Sequence, residues 1–203
     1  MEKKVITIGR QFGSGGRAIG KRVAEELGIP FYDKELIKKI AQDSGLSKEI
    51  LDDYDEKPTN SFLYSLSLGA YTYGNSFTGV PEMPMSDKIF VIQSDTIKEI
   101  AAQGPCVIIG RCAESILKDQ VEHLSVFIHA DLEYRIRRVA EFEKISRYVA
   151  AELVRKTDKK RANYHNYYSD IKWGDATSYD LCINGRIGTE NAAKLIIELA
   201  EMK

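Results

Sequence analysis

The chain has 203 residues, 43% of them hydrophobic, and 29 Lys and Arg against 30 Asp and Glu for a formal net charge of −1. That length fits one domain, or one domain with a small mobile insert, and supplies enough apolar residues for a sizeable core. The charge balance gives no global basic field for nucleic acid or an anionic membrane, and no apolar run approaches the ~18 residues that span a bilayer.

The N-terminal MEKKVITIG starts basic, but its apolar stretch is short for a signal peptide and no small-residue cleavage site follows. Lys4–Ile8 (KVITI) reads as a strand that runs into a glycine-rich turn. Arg17–Leu27 follow as a helix, with Ile19, Val23, Ala24 and Leu27 at helical spacing and Gly28 closing it. Ile29–Tyr32 is a short strand, and Lys34–Ala41 and Ser47–Asp55 are helices. From Lys57 to Met85 the chain turns to Ser, Thr, Tyr, Gly, Asn and Pro without a clean period. Such a length without regular structure marks a functional flap or a partly disordered segment.

Lys88–Gln103 returns to helix. Pro105–Ile109 (PCVII) and Leu124–Ile128 (LSVFI) are continuous apolar runs, as expected of strands covered on both faces. Leu132–Lys144 is a basic helix and Ser146–Tyr168 a heavily charged one. Tyr179–Asn184 is the last strand, and Thr189–Met202 an amphipathic helix with Thr189 as its cap. The alternation predicts an α/β domain over residues 1–203, with a parallel sheet between two layers of helices.

The segment Gly9-Arg10-Gln11-Phe12-Gly13-Ser14-Gly15-Gly16-Arg17 lies between the first strand and the first helix. Glycines there let several backbone N–H groups aim at one anion, and the helix start adds positive potential. Arg10, Gly13, Ser14, Gly15, Gly16 and Arg17 are therefore candidate phosphate-binding residues of a P-loop-type site. The GxxxxGK[ST] pattern fails where it expects a lysine and a metal-linked hydroxyl, because Gly16, Arg17 and Ala18 stand in that region. Arg10 or Arg17 can supply the missing charge, and Ser14 a substitute hydroxyl.

Cys106, Cys112 and Cys182 lack CxxC spacing, which with the N-terminus suggests reduced thiols in a cytoplasmic protein. His123, His129 and His165 lack ligand spacing, so no dedicated zinc site is expected. Tyr164, Tyr167, Tyr168 and Trp173 read as helix-to-sheet packing more than as a base-stacking surface.

Three stretches, ITIGRQFGSGGRAIGKRVAEELGIPFYD, KIFVIQSDTIKEIAAQGPCVIIGRCAESIL and YDLCINGRIGTENAAKLI, resemble the cytidylate kinase-like family in order and over essentially the whole chain. GSGGR, Gly110-Arg111 and Asp158-x-x-Arg161 are the most specific parts of that resemblance. It implies a P-loop nucleoside monophosphate kinase-like fold, with acceptor-side helices and a mobile insert at 33–85 and a helical lid at 132–170. It also implies phosphoryl transfer from ATP, with Mg²⁺, to a nucleoside monophosphate such as CMP or dCMP. By the same resemblance Asp33 and Arg111 bind the acceptor, and Arg17, Arg138, Asp158 and Arg161 serve catalysis. Arg135 and Arg137 cannot share one helix face, so Arg138 and Arg161 are the lid arginines expected to point inward.

The chain departs from the family pattern on the acceptor side. KELIKK follows Asp33 where cytidylate kinases have Gly, Tyr and Arg, which leaves an N-cap role for Asp33 open, and Cys112 replaces an Asp after Gly110-Arg111. A nucleotide-binding regulatory module and a kinase of another small acceptor therefore remain as alternatives. A nucleotide donor and a small acceptor are the expected partners, with no nucleic acid and no membrane.

Overall fold

The computed structural model describes residues 4–33 and 83–202. The expected helices Lys34–Ala41 and Ser47–Asp55, nearly all of the Lys57–Met85 insert, and with it Tyr64, Tyr71 and Tyr73, lie outside the described residues.

Five strands, β1 (Val5–Arg10), β2 (Phe31–Tyr32), β3 (Val107–Ile109), β4 (His123–His129) and β5 (Leu181–Asn184), form one parallel sheet in the order β2-β3-β1-β4-β5. Six helices are described: α1 (Gly16–Leu27), α2 (Met85–Ala102), α3 (Ala113–Leu117), α4 (Leu132–Glu143), α5 (Arg147–Tyr168) and α6 (Thr189–Met202). The apolar runs are continuous because both faces of the sheet are covered. Ile6 and Ile8 face a core shared with Ile19 and Val23 of α1 and Ile196 of α6, whereas Val5 faces Ile97 and Ile100 of α2 and Leu117 of α3. Burying each such side chain stabilises the fold by about 1.5–3 kcal/mol.

Several boundaries differ from those expected. β1 continues through Gly9 and Arg10 because these pair with Phe127 and Ile128 of β4, which shortens the connecting loop to residues 11–15. The second and fifth strands are shorter than their apolar runs. β3 begins at Val107, although the Cys106 carbonyl already accepts the Ile6 N–H at 2.8 Å. α2 starts earlier, at Met85, just after Pro84. Thr189 does not cap α6. The Ala192 N–H donates to the Gly188 carbonyl at 3.1 Å, which makes Thr189 the first helical residue. Gly28 does close α1, in a left-handed conformation at φ 59°.

α4 and α5 make a helical hairpin with a small core of Ile136, Val139, Ala150 and Val154. Asp131 caps α4 by accepting the Tyr134 N–H, and Ser146 caps α5 by accepting the Val149 N–H. Of the aromatic residues expected to pack helix to sheet, Trp173 meets the sheet, whereas Tyr164 and Tyr168 at the end of α5 pack on α2. Tyr168 stacks on Phe90 of α2 at 4.0 Å between centroids, and Trp173 meets Phe127 edge-on at 5.4 Å. Among the described residues no helix is long and apolar enough to cross a membrane.

Candidate functional site

The C-terminal edge of a parallel sheet is where open α/β folds bind ligands, because helix N-termini and strand-end turns converge there. Residues 11–15 form the turn after β1. The Gln11 N–H donates to the Ile128 carbonyl at 3.0 Å, and Gln11 Oε1 accepts the Ala130 N–H at 3.1 Å. Gly15, at φ 92°, leads into α1. The turn borders a cleft of about 390 Å³ whose lining includes Gly13, Gly15, Gly16, Arg17, Arg138 and Phe142.

The turn after β3 carries the second half of the site. Gly110, Arg111 and Cys112 all have positive φ, at 70°, 65° and 56°. Two successive non-glycine residues in that region cost about 1–3 kcal/mol each, and such strain persists where surrounding structure holds it. The turn places Arg111, only 4% exposed, in the wall of a small cavity shared with Arg10, Arg161 and His165. Three arginines from three elements thus border one space, together with the Glu114 carboxylate. Arg10 and Arg161 line both this cavity and the larger cleft.

The charged residues of the α4–α5 hairpin divide into two groups. The Arg138 guanidinium lies over Gly15, where an added Cβ would sit 3.8 Å from its Cζ and Nη2. Arg161 Nη1 donates to the Arg10 carbonyl at 3.3 Å, and its guanidinium lies over the Phe12 ring at 5.5 Å. Asp158, by contrast, is held as a strut. It accepts the Phe12 N–H at 2.7 Å and Arg135 Nη1 at 2.5 Å. Arg135, which was not among the arginines expected to point inward, has a side chain only 7% exposed and also donates to the carbonyls of Ala130 and Phe12.

The structure brings Arg17 and Asp33 together. Arg17 Nε and Nη2 both donate to Asp33 Oδ2, at 2.9 and 2.5 Å, with the Arg17 side chain 68% exposed at the cleft mouth. The Ser14 hydroxyl is fully buried and donates to the Gln11 carbonyl at 2.8 Å, so it is turned away from the position a metal-linked hydroxyl would need. With Ser14, Asp33 and Asp158 engaged in this way, and no group of His, Cys, Asp or Glu among the described residues arranged for an ion, the described residues do not fit a protein-held Mg²⁺. An ion kept by phosphates and water needs no such set.

The buried pair of His165 on α5 and Glu114 on α3 was not foreseen. Glu114 lies three residues after Arg111, but a partner fifty-one positions away leaves no mark in a local pattern. Burial pushes the Cys106 thiol up to about 11 and raises that of Cys182 as well, which disfavours the thiolate at both. Burial, and next the Glu114 charge, raises the Tyr179 hydroxyl.

A model of the cytidylate kinase-like family matches residues 5–186. The cytidylate kinase of Archaeoglobus fulgidus is 28% identical over 202 residues, covering 98% of this chain and 95% of that protein. That of Aeropyrum pernix is 27% identical over 194 residues, covering 94% and 95%. Among solved structures, an uncharacterized protein from Eubacterium ventriosum aligns with a TM-score of 0.74 at 31% identity, over 99% of this chain and all of that one. A shikimate kinase from Bacteroides thetaiotaomicron shares the fold, with a TM-score of 0.57 at 14% identity over 98% of each chain.

Proposed function

The chain belongs to the cytidylate kinase-like family, and from that membership we propose that it transfers the γ-phosphoryl group of ATP to a nucleoside monophosphate, with CMP or dCMP as the first acceptor. One observation carries the reading. The cleft at the glycine turn and the cavity at Arg111 are separate spaces that share Arg10 and Arg161. A donor triphosphate in the first would meet, at those two side chains, an acceptor phosphate at the mouth of the second, whose volume of about 20 Å³ is water-sized in this form.

Each residue then has a physical task. The N–H groups of Gly13 and Gly15 and of the start of α1 cradle the donor phosphates, those of Gln11, Phe12 and Ser14 being bonded within the protein. Arg111 clamps the acceptor phosphate, held in place by its strained turn. Arg138 and Arg161 neutralise charge on the phosphoryl group in transit. Phe142, 83% exposed and four residues after Arg138 on the cleft wall, offers a face to the donor base. Arg17 and Asp33 form the rim between the donor and acceptor sides. Asp158 acts through Arg135 and the Phe12 backbone and so holds the lid against the turn.

The test is turnover by purified protein with ATP, Mg²⁺ and a panel of nucleoside monophosphates, followed by chromatographic detection of diphosphate. CMP and dCMP should be the best acceptors. No diphosphate from any monophosphate would sink the reading. The inward-turned Ser14 hydroxyl favours one competitor, a nucleotide-binding regulatory module of the same fold. Ligand-linked stabilisation, about 2.7 kcal/mol at a hundredfold excess over Kd, without turnover would select it. Turnover only with another small phosphate acceptor would instead keep the kinase and change its substrate.

A further inference from the structure

The junction between the glycine turn and α1 is where loops of the GxxxxGK[ST] type carry their lysine. In this chain α1 begins at Gly16, and a side chain there has no room: an added Cβ would lie 2.6 Å from Arg10 Cβ and 3.1 Å from Arg10 Cγ. What fills the space is the stem of another cation. Arg10 leaves the last position of β1, and its side chain runs toward the turn after β3. An added Cβ on Gly110 would lie 2.1 Å from Arg10 Nη1 and 3.0 Å from its Cζ. Gly16 thus clears the stem of Arg10 and Gly110 clears its head. The guanidinium rests against Gly110, one residue from Arg111, at the border of both cavities. Arg17, the other arginine flanking the turn, is directed to Asp33 at the cleft mouth.

We propose that Arg10 supplies from the strand end the cation that such loops carry on a lysine, and that it bridges donor and acceptor phosphates during transfer. This deepens the kinase reading and rests on it. A guanidinium presents a rigid fork of donors that can hold oxygens of two phosphate groups at once, which a single ammonium does less well. In the step itself, an acceptor phosphate oxygen bonds to the γ-phosphorus as the bond from that phosphorus to the β,γ-bridging oxygen breaks, leaving ADP and a nucleoside diphosphate. Arg10 keeps its protons throughout. Its hydrogen bonds stabilise charge on the transferring group and on the bridging oxygen.

The experiment compares wild type, Arg10→Gln and Arg10→Lys in steady-state turnover of ATP with CMP, and by calorimetric titration with three probes. The probes are ATP, CMP, and the two nucleosides joined through five phosphates, which spans both sites. Arg10→Gln is expected to lower kcat about 100-fold. It should weaken the joined compound roughly 30-fold while ATP alone and CMP alone change by less than about threefold. Arg10→Lys should recover only part of each loss, and it stands in if the glutamine variant does not fold. Gly110→Ala, which keeps Arg10 but crowds its head, should lower kcat in the same direction. Retained turnover in Arg10→Gln, or equal weakening of all three probes, would overturn the bridging role while leaving the kinase reading intact. Absence of wild-type turnover with CMP and with every other acceptor tried sinks the kinase reading, and the three-probe comparison then still decides whether Arg10 spans two sites. A wild-type protein that binds none of the probes removes both.

Discussion

The Asp158 carboxylate accepts the backbone N–H of Phe12 at 2.7 Å across 146 positions of sequence, and its second oxygen takes Arg135 Nη1 at 2.5 Å. One side chain therefore joins α4 and α5 to the glycine turn. Asp158→Asn should cost about 3 kcal/mol, because it leaves the mostly buried Arg135 guanidinium without its counter-charge. The urea midpoint should fall without a change in slope. An unchanged midpoint would show that the strut carries no weight.

Arg111→Lys keeps a charge but loses the planar fork. The affinity for CMP should drop by roughly 10–100-fold, with ATP affinity held within about threefold. Calorimetric titration of each nucleotide separately gives both numbers. Equal losses for ATP and CMP would mean that the β3 turn serves the whole site and not the acceptor.

Phe142→Ala removes a ring that is 83% exposed, so thermal stability should stay within about 0.5 kcal/mol of wild type. Loss of a stacking face should nevertheless weaken ATP by about 1–2 kcal/mol. Inorganic triphosphate, which has no base, should bind both proteins alike. A loss shared by ATP and triphosphate would rule out stacking.

Burial raises the Cys106 thiol from 9.0 to about 11, so the folded state keeps a proton that the unfolded chain gives up. The stabilisation is complete below about pH 9 and is lost as pH rises toward 11. Tyr179, raised chiefly by its own burial, acts in the same sense. Urea midpoints should therefore decline from pH 8 to 10, and less steeply in Cys106→Ala. A midpoint that holds steady over that range would contradict the assigned burial effect.

Much of the sheet was legible. Continuous apolar runs such as PCVII and LSVFI arise only where both faces are covered, and the alternation with helices fixed a parallel order. The edges were less legible. Gly9 and Arg10 carry no strand signature, and only their pairing with β4 extends β1 through them. The spacing of Asp158 and Arg161 put them one turn apart on α5, but which of them takes the Phe12 N–H and which reaches the Arg10 carbonyl depends on what lies opposite.

The sequence by itself determined a parallel sheet covered by helices and the position of the glycine turn between β1 and α1, because periodicity and glycine placement are local properties of the chain. Only the tertiary structure decided the partners. It turned Ser14 into its own loop, set Arg17 on Asp33, buried Arg135 against Asp158, and laid Arg10 across Gly16 and Gly110 toward Arg111. Those choices depend on distances of a few ångström between segments far apart in the chain, where sterics and charge, and not local propensity, select among chemically similar side chains.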